Sequence, residues 1–147
     1  GITMPALYAY PASPHLAARL EGRALDLDAI ATATARLRAR YGTVLVEGAG
    51  GLMVPLTGQL LTIDYVARQG WPVILVTSGR LGSINHTLLS LEAIAARGIA
   101  LHGIAWNSRD DGSDEVIATE SRRYLREWMQ ARFPRARWYD VPVLALD

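Results

Sequence analysis

The alternation of apolar runs with amphipathic segments predicts an α/β fold: a parallel sheet with helices on both faces. Three observations carry the fold class. Runs such as PVILVT (72–77) hold β-branched and aliphatic residues without polar alternation, as strands buried on both faces do. Segments with apolar residues at helical spacing fall between these runs, and short glycine-closed connections join the two. A chain of 147 residues, 50% of them hydrophobic, is long enough for one sizeable core, so a single domain over 1–147 is expected.

Each element has its own warrant. From Gly1 to about Glu21, the prolines Pro5, Pro11 and Pro14 predict loop or edge structure. Residues 28–40 place Ile30, Ala33 or Thr34, and Leu37 on one helical face, with Arg36, Arg38 and Arg40 at the end where the helix dipole favours cations. Residues 43–46 (TVLV) read as a buried strand, and 62–68 as a short helix closed by Gly70. The strand PVILVT is followed by a helix over 85–97, with Leu88, Leu91 and Ala95 on one face, Leu89 and Ile94 widening it, and Gly98 as its stop. Residues 99–106 give a strand ending at Asn107, and a polar loop over 108–114 precedes a helix over 115–132. That helix carries an expected stripe of Ile117, Tyr124, Leu125, Trp128 and Met129. After Pro134, a last strand spans 137–141.

Composition narrows the function. Net charge is +1 with both signs mixed along the chain, so no nucleic-acid surface is expected. Without cysteine there can be no disulfide, thiolate metal site or cysteine nucleophile. No apolar run has the length of a membrane span and the start has no signal-like segment, so a cytoplasmic protein without membrane partners is expected. All 15 basic residues are arginine, so no step that needs a lysine can be completed by these residues.

The chemistry concentrates where the expected strands end, which in open parallel sheets is where ligands collect. In VEGAGGLMVP, Glu47 follows the run TVLV and faces glycines that admit a ligand close to the backbone; a Glu capping a neighbouring amide beside an ordinary glycine-rich turn is the alternative. In SGRLGSINH (78–86), small residues lead into a helix start, where the amides of Ser83, Ile84 and Asn85 can bind a carboxylate or phosphate; an ordinary N-cap by Ser83 or Asn85 is the alternative. Asn107 offers a donor and an acceptor to a purine edge, or else forms a turn. No histidine pair with a carboxylate has zinc-ligand spacing, whereas a single Glu at a strand end can help hold a hydrated Mg2+ that phosphates also ligate.

In this order, YAYPASPHLAARLEG (8–22), VLVEGAGGLMVPL (44–56), PVILVTSGRLGSINHTLLSLEAI (72–94) and GIAWN (103–107) resemble the dethiobiotin synthetase family of biotin synthesis. The resemblance implies a P-loop-type α/β domain, usually a homodimer. It also implies an ATP- and Mg2+-dependent ligase that closes a cyclic urea from 7,8-diaminononanoate and CO2. Carried over, it makes Glu47 a catalytic residue and the Mg2+ ligand, with Gly48, Ala49 and Gly50 as backbone lying against the diamine. Gly82, Ser83, Ile84 and Asn85 resemble amides that grip the substrate carboxylate, offered to the partner subunit's site. Asn107 resembles an adenine reader, with Pro142 and Val143 beside the base.

The sequence departs from the family in one respect: it holds no G-x-x-x-x-G-K-[ST] loop and no lysine, both of which phosphoryl transfer of this type uses. The expectation is therefore the C-terminal portion of such a domain, active when the P-loop part is present. A non-catalytic paralogue serving as a substrate-binding or dimer-assembly module is the alternative. A related ATP-dependent amide-forming ligase is a third reading, against which the SPH and GSINH segments stand. Arg80 matches a basic family position whose role the sequence leaves open.

Overall fold

The computed structural model describes residues 3–112 and 114–144; Gly1, where the expected N-terminal loop opens, and Ser113, inside the expected polar loop, lie outside them. The chain divides into two compact units, Gly1–Tyr65 and Val66–Asp147.

The first unit contains α1 (Pro14–Leu20), α2 (Leu27–Arg40) and the start of α3 (Thr62–Gln69). α1 replaces the expected loop. Pro14 occupies its first turn, where a missing N–H breaks no helical hydrogen bond, so the proline starts the helix instead of preventing it. Glu21 then ties the preceding stretch down by accepting the Ala9 amide at 2.6 Å and the Arg23 guanidinium at 2.7 Å. The Ala9 amide holds the Glu21 carboxyl below its ordinary value; desolvation opposes it, and the hydrogen bond and charge of Arg23 add to the lowering. Asp26 caps α2 by accepting the Ala29 amide at 2.8 Å, and Ala33 with Thr34 form its buried face.

Residues 43–46 do not form the expected strand. Leu45 is 82% exposed, and no ladder engages this run among the described residues. An apolar, β-branched run is only a strand candidate, because the state itself needs a neighbour to bond its amides and carbonyls and cover its side chains.

The second unit supplies the predicted parallel sheet: β1 (Val73–Thr77), β2 (Leu101–Asn107) and β3 (Arg137–Val141), in that order. The crossovers are α4 (Ser83–Ala96) and α5 (Glu115–Arg132), which pack against each other. Ile74 and Val76 of β1 are 41% and 64% exposed, so the expected burial of this strand on both faces is not found among the described residues, because no helix covers that side of it. Ile104, Trp106, Leu91, Ile94, Leu125 and Met129 are the unit's fully buried core. The buried side of α5 is Ala118, Ser121, Leu125 and Met129, shifted from the expected stripe, and Tyr124 is 40% exposed. Small residues win there because α5 comes close to the loop after β1. On α4 the buried face is Thr87, Leu91 and Ile94, while Leu89 is exposed.

Candidate functional site

The carboxyl ends of the three strands stand side by side in register, Thr77 beside Trp106 and Trp106 beside Asp140, with Asn107 beside Val141. Gly82, Ser83, Ile84, Asn85, Asn107, Pro142 and Val143 all belong to the segments leaving this end of the sheet.

The loop after β1 enters α4 through Gly82, whose φ of +94° is a left-handed conformation that favours glycine, and no side chain caps the helix. The N-cap alternative through Ser83 or Asn85 is therefore not used. The Ser83 amide, expected to be free, donates to the Arg80 carbonyl at 2.9 Å, because the chain closes a turn over 80–83 before the helix begins. The amides of Ile84 and Asn85 have no acceptor among the described residues.

Behind the loop lies a hollow of about 240 Å³, lined on its polar side by Thr77, Ser78, Ser83, Thr87, Asn107 and Asp110. The Thr77 and Thr87 hydroxyls share a 2.6 Å hydrogen bond that joins the strand end to α4. The Ser78 hydroxyl donates to Asp110 at 3.2 Å, and Asp110 also pairs with Arg80 at 3.2 Å. Arg80 thus meets a carboxylate of its own chain while its side chain is largely exposed. Asn107 accepts the Arg109 amide at 3.2 Å, capping a short 3-10 turn (Ser108–Asp110). Its Oδ1 forms the turn while its Nδ2 has no acceptor among the described residues.

Beyond β3, Pro142 and Val143 are exposed. Asp140, two residues earlier, pairs with Arg122 at 2.6 Å and accepts the Trp138 indole N–H at 3.0 Å. Desolvation pulls its carboxyl upward, but Trp138, Arg122 and more distant Arg126 together hold it below the ordinary aspartate value.

Within the first unit, Glu47, Gly48, Ala49 and Gly50 form an exposed cluster that does not end a strand. The chain after it folds back on α3. The Val54 carbonyl accepts both the amide and the hydroxyl of Thr62, at 2.9 and 3.1 Å, and Leu52 accepts the Ile63 amide at 2.8 Å. Among the described residues no three His, Cys, Asp or Glu side chains gather as a metal cage, and no hydrogen bond or ion pair engages the Glu47 carboxylate. One exposed carboxylate oxygen donor fits Mg2+, which keeps most of its waters and takes its remaining ligands from phosphates, and fits poorly the metals that need several protein ligands.

Sequence reasoning passed over Gly79, Thr87, Asp110 and Asp111. The signal for the last two was present, two consecutive carboxylates ahead of a glycine shortly after a strand end, but it was subsumed in a polar loop.

The AAA domain family matches residues 2–145. The chain is 46% identical, over 91% of its length, to an ATP-dependent dethiobiotin synthetase BioD 2 of Pasteurella multocida, covering 62% of that protein. It is 49% identical, over its whole length, to the ATP-dependent dethiobiotin synthetase BioD of Chlorobaculum tepidum, covering 59%. A Haemophilus ducreyi dethiobiotin synthetase BioD 2 is 46% identical over 91% of the chain, which covers 63% of it. The chain thus spans about three fifths of the length of the curated relatives it matches. None of the described helices is long and apolar enough to cross a membrane.

Proposed function

We propose, from the premise that this chain belongs to the AAA domain family and is homologous to dethiobiotin synthetases, that it supplies the substrate- and adenine-binding share of such a ligase. The enzyme joins 7,8-diaminononanoate and CO2 into the cyclic urea of dethiobiotin, in the cytoplasm and as a homodimer. The observation that carries the reading is identity of 46–49% across nearly the entire chain to proteins of that name.

In this reading Glu47 holds the hydrated Mg2+ through its exposed carboxylate. The backbone at Gly48, Ala49 and Gly50 lies against the diamine, where side chains would keep the ligand away. The uncapped start of α4, with Gly82 turning the chain and the amides of Ile84 and Asn85 unengaged, binds the carboxylate of the diamine held in the partner subunit's site, as a helix N-terminus favours an anion. Ser83 acts through its hydroxyl, since its amide is taken. Asn107 donates its Nδ2 to a purine ring acceptor while its oxygen holds the 3-10 turn, and Pro142 and Val143 flank the base. When bound, MgATP supplies the phosphoryl group that activates the substrate carbamate. These residues contain no lysine, so a lysine contact to the phosphates comes from outside them.

The test is dethiobiotin formation by the full-length protein from diamine, CO2 and MgATP. Glu47→Gln should lower turnover by about a hundredfold, the scale of removing one preorganised electrostatic contact. Unchanged turnover in the Gln variant removes Glu47 from the mechanism. Diamine binding without any product by the wild type would replace the ligase reading with that of a non-catalytic substrate-binding module.

A further inference from the structure

We propose that Asp110 and Asp111 are positioning residues that clamp the 78–83 loop to the loop after β2, so that a ligand held at one loop orders the other. Though adjacent in sequence, the two carboxylates reach four different groups. Asp111 accepts the Gly79 amide at 2.7 Å with one oxygen and the Trp106 indole N–H at 3.2 Å with the other. Asp110 accepts the Ser78 hydroxyl through Oδ2 and pairs with Arg80 through Oδ1, both at 3.2 Å. Three consecutive residues of one loop are thus fixed by two consecutive residues of the other.

The contacts differ in weight. The Arg80–Asp110 pair is exposed and contributes little by itself. Asp111 carries the clamp, because it offers a charged acceptor to a buried backbone donor. Its second donor, Trp106, is 1% exposed and belongs to the core, so Asp111 is referenced to the rigid part of the unit. Gly79 completes the fit: a Cβ there would stand 2.6 Å from the Ala118 Cβ and 2.9 Å from Asp111 Oδ1, so the backbone is pressed against α5 and its carboxylate partner. The clamped loop ends at the uncapped start of α4, and the clamping loop begins at Asn107. Which ligands the two loops take rests on the ligase reading, whereas the clamp itself needs no turnover.

The experiment is hydrogen exchange of the full-length protein, wild type, Asp111→Ala and Asp111→Asn, with and without MgADP, together with KM values for the diamine and ATP. In the wild type MgADP should slow exchange over 78–83. Asp111→Ala should speed exchange there about tenfold, the loss of one charge-assisted hydrogen bond, abolish the effect of MgADP and raise the diamine KM more than it lowers kcat. Asp111→Asn keeps a carbonyl oxygen for Gly79 but turns an N–H2 toward the indole, so it should restore slow exchange without restoring the response to MgADP. The proposal is overturned if exchange over 78–83 is equal in wild type and Asp111→Ala, if it rises equally throughout α5, or if MgADP leaves the wild-type loop unchanged. A wild type that forms no dethiobiotin sinks the ligase reading, and the comparison of wild type with Asp111→Ala still decides the clamp.

Discussion

Two apolar runs of nearly the same character, TVLV (43–46) and VILVT (73–77), end in different states. The second is β1, paired to β2 from Val73 to Thr77, whereas the first has no ladder among the described residues and leaves Leu45 82% exposed. The composition of a run says that it tolerates a pleated, covered environment, and only a partner provides one. The difference extends to the functional residues that follow each run. Residues 78–80 are held by two aspartates and a neighbouring helix. The Glu47 loop has its hydrogen bonds to α3 further along, where the Leu52 and Val54 carbonyls meet the helix start.

The contrast breaks most readily in the core. Ile104→Ala, at a position with no exposure in β2, should cost about 3 kcal/mol, while Leu45→Ala should stay within about 0.5 kcal/mol. Equal losses in chemical denaturation would show that TVLV is covered after all. Next, Gly79→Ala should cost about 2 kcal/mol, because its Cβ meets the Ala118 backbone as well as its side chain, whereas Gly51→Ala meets nothing within 4 Å and should be nearly neutral. A neutral Gly79→Ala would mean that α5 yields.

Thr87→Val removes the partner of Thr77 and should cost about 1 kcal/mol, measured by thermal unfolding. Retention of full stability would assign the hydroxyl pair no share in joining strand to helix.

The smallest effect is a pH dependence. Asp140 has its folded value lowered, so its contribution is complete above the ordinary aspartate pKa and fades as pH falls through the lowered one. Asp140→Asn should therefore flatten the stability profile below about pH 4. The gain should be under about 1 kcal/mol, since both partners are nearly half exposed. An unchanged acid limb would assign the dependence to other carboxylates.

The sequence made the second unit and helix α2 of the first legible, and misled at α1 and at TVLV. Helix α5 has the expected bounds because Asp114 accepts two amides of its first turn and Pro134 follows its end. Strand β3 and the short α3 were equally plain. α1 was obscured because proline breaks a helix interior yet favours its first turn, and only the position relative to the start separates the two. TVLV was misread because pairing is non-local information. Of the site, the glycine turn into α4 could be read from spacing, since Gly82 needs nothing but its own backbone freedom. The Ser83 amide and the Asp110–Asp111 contacts could not, as each depends on where a second loop comes to rest.

The order of the sheet also bears on how this unit assembles. Each strand pairs with the next one along the chain, β1 with β2 and β2 with β3, so every ladder contact closes within a single strand–helix–strand segment. Loop-closure entropy grows only slowly with length, and two closures of similar size suffice, with no strand having to wait for a distant one to be inserted between existing neighbours. Among the described strands either ladder can therefore form first, each at the cost of closing one helical crossover.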